Sequence, residues 1–186
     1  PYCDLRYSGE AQPPIKSFDT DGRVIMLNSF SKIIAPGIRV GCAVADAEII
    51  GKMTVCKQCT DTHTALLPQA IAAEFLSRGL LPGHLQRIIP GYRAQLDAML
   101  QGIREHFPAD VKYTRPEGGL FLWAELPENM EALPLFRRAV EREKVAFIPG
   151  EHFYVDGSGK NTMRLNFSSE PVSRIQEGLR KLGRLI

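Results

Sequence analysis

No stretch of the 186 residues approaches eighteen consecutive apolar side chains, so a membrane-spanning helix is excluded. Charge of one sign is also scarce. The 23 basic and 21 acidic residues leave a formal net charge of +2, and the basic ones are spread along the chain, giving no electrostatic footprint for nucleic acid. Repeats and low-complexity tracts are missing. The opening Pro1-Tyr2-Cys3-Asp4 has neither a basic nor an apolar region, so no signal peptide is expected there, and the expected location is a reducing cytoplasm. Cysteine is thin, with four residues in all. Cys56-Lys57-Gln58-Cys59 is a lone C-x-x-C, and a zinc site would need a second ligand pair, for which His63 alone is poor. The segment is expected to end a helix, with Cys3 and Cys42 as small apolar fillers and no metal bound. What is present in quantity is apolar residue, 44%, enough for a globular protein of one large or two small domains.

The informative stretch is Asn28-Ser29-Phe30-Ser31-Lys32-Ile33-Ile34-Ala35-Pro36-Gly37-Ile38-Arg39-Val40-Gly41. Before it, Arg23-Val24-Ile25-Met26-Leu27 reads as a strand; after it, Ile38 to Val44 alternates like a second one. Lys32 is therefore expected on a loop held between two strands. Two hydroxyls and a guanidinium can receive a phosphate dianion together, since arginine offers a planar fork and hydroxyls add neutral donors. A lysine beside that cup has a separate use: an amine attacks carbonyls when burial and nearby positive charge favour its neutral form. A phosphorylated aldehyde cofactor requires both parts, and pyridoxal 5′-phosphate (PLP) is such a cofactor. An isolated S-x-x-K reads more readily as an exposed basic loop between two strands; the Pro-Gly-x-Arg-x-Gly tail is what reverses that here.

With that tail, Ser29-x-Ser31-Lys32-x-x-x-Pro36-Gly37-x-Arg39-x-Gly41 resembles the lysine signature of fold-type I PLP enzymes, aminotransferase class I/II. The resemblance is nearest to 2-aminoadipate-type aminotransferases and the aminotransferase-like domains of MocR-type transcription regulators. It implies that Lys32 is the Schiff-base lysine and that Ser29, Ser31 and Arg39 hold the phosphate. It also implies that the Tyr2 hydroxyl reaches the cofactor's ring oxygen. In relatives an aspartate three residues before that tyrosine pairs with the pyridine nitrogen and keeps it protonated; here it would fall before Pro1, and Asp4 lies on the wrong side of Tyr2 to replace it. The chain is thus expected to be the C-terminal half of an aminotransferase-like protein, inactive by itself. The parent's implied reaction is amino-group transfer between an amino acid and a 2-oxo acid, in a homodimer, with no nucleic acid contact by this segment. The alternative is a ligand-sensing aminotransferase-like domain in a MocR-type regulator.

The rest of the chain is read as α/β. Pro13-Pro14 and Asp21-Gly22 mark a loop. Asp46 is an acceptable N-cap for a helix, and a second helix is expected from Pro68 to Arg78. Helical spacing runs from Gly83 to His106, with a kink expected at Pro90-Gly91. The domain boundary is placed near residue 90: residues 1–90 as the C-terminal part of the PLP-binding large domain, 91–186 as a small α+β domain. Pro116-Glu117-Gly118-Gly119-Leu120-Phe121-Leu122-Trp123 reads either as a hairpin turn or as backbone approaching a ligand. A helix is expected over 131–143. Thr162-Met163-Arg164-Leu165-Asn166-Phe167-Ser168 alternates like a strand, with Arg164 and Asn166 on one face. Arg164 is either at a solvated edge or in a local ion pair or, as the resemblance implies, the clamp for the substrate's α-carboxylate. A last helix is expected to about Gly183.

Overall fold

The computed structural model describes residues 2–186, in two compact units, Pro1–Arg87 and Ile88–Ile186. In the first, strand β1 (Met26–Ser29) pairs antiparallel with β2 (Gly41–Val44), setting Ser29 opposite Gly41 and Asn28 opposite Cys42. Both strands begin later than their apolar patterns predict, for local reasons. The Asp19 carboxylate accepts hydrogen bonds from the backbone N–H groups of Arg23 (3.0 Å) and Val24 (3.1 Å), which removes those donors from any ladder. Arg39 takes a left-handed backbone (φ 54°, ψ 38°), which no strand can contain, so β2 starts only at Gly41.

Helix α1 (Ala47–Thr60) follows, and Asp46 caps it by accepting from the Glu48 N–H at 2.9 Å. Cys56 and Cys59 lie in its last turns. All four cysteines are exposed and unpaired, so the expectation that Cys3 and Cys42 fill apolar gaps is corrected: Cys42 points outward from β2. Helix α2 (Leu66–Ser77) starts earlier than expected and carries Pro68 in its first turn, where a missing N–H costs nothing. Helix α3 (Leu80–His106) is one helix and contains Pro90 in its interior. Pro90 and Gln86 are both exposed, so water can serve the carbonyl that proline leaves without a donor.

The second unit, which takes α3 from Ile88 onward, is built on an antiparallel sheet with strand order β3-β4-β6-β5. Its strands are β3 (Lys112–Tyr113), β4 (Phe121–Glu125), β5 (Ile148–Pro149) and β6 (Thr162–Asn166). Period-two alternation sends Leu122, Ala124, Met163 and Leu165 to the buried face. Leu96, Met99 and Ile103 of α3 are buried in the same unit, as are Leu135 of α4 (Ala132–Arg138) and Ile175, Leu179 and Leu182 of α5 (Val172–Gly183). Each such side chain is worth about 1.5–3 kcal/mol on burial. Gly102 lets α3 and α5 close up, because a Cβ there would stand 2.6 Å from Leu179 Cδ1. Gln95 ties α3 to the segment just before α5 by donating to the Glu170 carbonyl at 2.7 Å. The helix expected over 131–143 is α4 continued by a π turn, Ala139–Glu143. Gly119 has φ +81° and open space around its Cβ position, so that glycine serves the β3–β4 turn by its backbone. Among the described residues no helix is long and apolar enough to cross a membrane.

Candidate cofactor and carboxylate sites

Residues 30–40 join β1 to β2, and the Phe30 N–H closes the loop on the Val40 carbonyl at 3.1 Å. Phe30–Lys32 forms a single 3-10 turn directly after β1. Asn28 Oδ1 accepts from the Ser29 N–H (2.8 Å), which holds the last residue of β1 extended. Ser29 Oγ then accepts from the Ser31 N–H (3.2 Å) and lies 3.1 Å from Ser31 Oγ, so both hydroxyls are gathered at the start of the turn. Ile33, 3% exposed, pins the turn from below, while Lys32 is half-buried. Among the described residues no hydrogen bond or ion pair holds the Lys32 amine, so its Nζ is available to a ligand. The turn thus gathers Ser29 and Ser31 and carries Lys32 as its last residue.

The far side of the loop explains the rest of the motif. Pro36–Ile38 forms a second 3-10 turn, and Arg39 leaves it in the left-handed region, a cost of about 1–3 kcal/mol for a residue with a side chain. Its Nη1 donates to the Pro36 carbonyl at 3.2 Å and its side chain is exposed. Gly41 sits opposite Ser29, and a Cβ there would lie 2.8 Å from the Asn28 carbonyl oxygen. The final glycine of the motif is therefore required by strand approach beside Ser29. Tyr2 lies in the same unit, half-buried, with its carbonyl accepting from the Leu5 N–H at 3.0 Å.

The loop leading into β1 is anchored electrostatically. Lys16 Nζ lies 2.6 Å from Asp19, whose side chain is only 3% exposed. That lysine hydrogen bond, helped by the N–H groups of Val24 and Arg23 against the opposing effect of burial, lowers the Asp19 carboxyl to about 2.

Arg164 belongs to the second unit. It lies at the centre of β6, paired with Trp123 of β4 on one side and Ile148 of β5 on the other. Its guanidinium carbon stands over the Phe121 ring at 4.1 Å and over the Phe153 ring at 4.8 Å. Its Nε is buried with no hydrogen-bond partner. Neither plainer reading holds: β6 is an interior strand and not an edge, and among the described residues no carboxylate pairs with Arg164. The roles of Asn28, Gly41 and Phe153 were not foreseen from sequence. For Gly41 the signal was present as the last letter of the motif; for Phe153 it required the strand register.

The profile of the family described as aminotransferase class I and II matches residues 2–182. The aromatic-amino-acid aminotransferase 1 of Thermococcus litoralis is 45% identical over 100% of this chain, which covers 44% of that protein. The crystal structure of the alpha-aminoadipate aminotransferase of Thermus thermophilus, complexed with N-(5′-phosphopyridoxyl)-L-leucine, superposes with a TM-score of 0.92 at 41% identity, covering 99% of this chain and 48% of the other. An HTH-type transcriptional regulator of Escherichia coli, YjiR, is 34% identical over 92% of this chain, which covers 36% of that protein. The chain spans less than half the length of these relatives.

Proposed function

We propose, for a chain that belongs to the class I and II aminotransferases, that it carries the lysine half-site of a PLP-dependent transaminase acting between an amino acid and a 2-oxo acid. The observation that carries this reading is the turn after β1, which gathers two serine hydroxyls 3.1 Å apart and ends on Lys32, whose amine has no partner among the described residues. The residues fit the cofactor: hydroxyls and a guanidinium suit a phosphate, and the amine suits its aldehyde. Arg39's left-handed backbone adds support, since such strain persists where a side chain must be aimed.

PLP, when bound, supplies an electron-withdrawing ring that makes the α-proton of an amino acid acidic. Ser29 Oγ, Ser31 Oγ and the Arg39 guanidinium would hold its phosphate, and the Tyr2 hydroxyl would serve its ring oxygen. The Lys32 amine would move the proton at the substrate's Cα, general acid–base work suited to a half-buried amine. Arg164 grips the α-carboxylate through paired N–H donors. The first unit is read as part of the cofactor-binding domain and the second as the small domain of a homodimer. Four unpaired cysteines accord with a reducing cytoplasm. The lower identity to the regulator leaves transamination as the reading the relatives support.

The phosphate cup is tested by titrating the chain with PLP and with pyridoxal, followed by visible absorbance. PLP is expected to bind at least about tenfold more tightly, since each charge-assisted hydrogen bond contributes about 1.5–3 kcal/mol. Arg39→Ala should bring the two together. Equal binding of both aldehydes by the unaltered chain would contradict the cup.

A further inference from the structure

The sheet of the second unit has a second face that its core does not use. Phe121 and Trp123 of β4 alternate with the buried Leu122 and Ala124, and Arg164 of β6 alternates with the buried Met163 and Leu165. Registry places Arg164 directly opposite Trp123 and Phe121 diagonally from it, so the three share the outer face. Phe153 arrives from the 3-10 turn Gly150–Phe153 that follows β5. Its ring meets Trp123 edge to face at 5.5 Å, and Tyr154 lies beyond, 6.3 Å from Trp123. The turn can lie this close to β6 because Gly150 has no side chain; a Cβ there would overlap Thr162 Oγ1.

Two rings within 4.8 Å of one guanidinium carbon do more than bury it. Attraction to an aromatic ring uses the face of the guanidinium, whereas hydrogen bonds to a carboxylate lie in its plane, so the two do not compete. The rings restrict a long side chain that is otherwise rich in rotamers. Stacked on its faces, they would also fill space out of its plane. Arg164 Nε is enclosed and unpartnered, which leaves the Nη edge as the side an acceptor can reach.

We propose that Phe121 and Phe153 turn Arg164 into a slot selective for flat carboxylates, bound end-on through Nη1 and Nη2, and poor for tetrahedral anions. A carboxylate presents both oxygens in the guanidinium plane. A sulfonate or phosphate monoester presents further oxygens out of it, where the rings stand. This inference rests on the reading of Arg164 as the carboxylate binder and adds the basis of its selectivity. A protein that handles a phosphorylated cofactor and a carboxylate substrate gains from an arginine that refuses the phosphate. Phe121 and Phe153 are positioning residues in this scheme.

The test follows the arginine side-chain N–H signals of the 186-residue chain by NMR, with Arg164 assigned from its loss in Arg164→Lys. Sodium acetate and sodium methanesulfonate are titrated separately. Acetate is expected to shift the Arg164 signals with an affinity at least about tenfold above methanesulfonate, and Phe153→Ala should bring the two within about threefold, while Phe153→Tyr keeps the preference. Phe153 is 48% exposed, so its truncation should leave the fold intact, as an unchanged unfolding midpoint would confirm. Equal affinities in the unaltered chain, or a preference that survives Phe153→Ala, would overturn the slot alone. No response of Arg164 to either anion would overturn the carboxylate-binder reading, and the slot with it.

Discussion

At the scale of single residues, the site is a set of backbone decisions that place a few polar atoms. Gly41 shows the strength of one such constraint. Gly41→Ala would put a Cβ 2.8 Å from the Asn28 carbonyl, between two paired strands with little freedom to separate. A loss of about 1–3 kcal/mol is expected, read from urea unfolding; unchanged stability would mean that the ribbon beside Ser29 yields freely. The adjacency of Ser29, Ser31 and Lys32 was legible in sequence because a turn of three residues is local. The aromatic neighbours of Arg164 were not legible in the same way. Phe121 and Phe153 come from separate segments, and only the pairing of β4, β5 and β6 brings them to one guanidinium.

At the scale of elements, the segment entering β1 depends on one carboxylate. Asp19 gathers Lys16 Nζ at 2.6 Å and two backbone donors, and its carboxyl is lowered from 3.8 to about 2. A lowered carboxyl stabilises the fold while it is ionised. Its contribution is therefore complete above pH 3.8 and is lost as the pH falls through about 2. Asp19→Asn should lower the urea midpoint at neutral pH and flatten its acid dependence over that window. A variant with the parent's acid profile would assign the acid sensitivity elsewhere. The elements themselves were read with unequal success, and each miss has a cause. Apolar alternation suggested strands from Arg23 and Ile38, but Asp19 takes the N–H donors at one start and Arg39's left-handed backbone blocks the other. A kink was expected at Pro90-Gly91, and α3 runs as one helix that contains Pro90. Helical spacing over α5 was plain, and Leu179 and Leu182 are buried as their positions required.

At the scale of the whole molecule, the two units differ in how fully they cover their apolar residues. The second has a core drawn from sheet and helices. The first leaves Ile15, Phe18, Leu27, Leu66 and Leu67 exposed, and α1 has no buried residue. The chain also covers only 44% of the aromatic-amino-acid aminotransferase it resembles. Exposed apolar surface of this extent is expected to drive association in water. Light scattering of the chain alone should show a mass that rises with concentration, and Leu66→Glu with Leu67→Glu should reduce the rise. A uniform monomer over a wide concentration range would contradict it.

The half-site itself is tested most directly by incubating the chain with PLP, reducing with borohydride and mapping the product by mass spectrometry. A single pyridoxyl adduct on Lys32, absent from Lys32→Arg, is the expected result: the turn after β1 then captures the cofactor with the residues it gathers. An unmodified Lys32, or adducts distributed over the surface lysines, would contradict the assignment of that turn as the cofactor site.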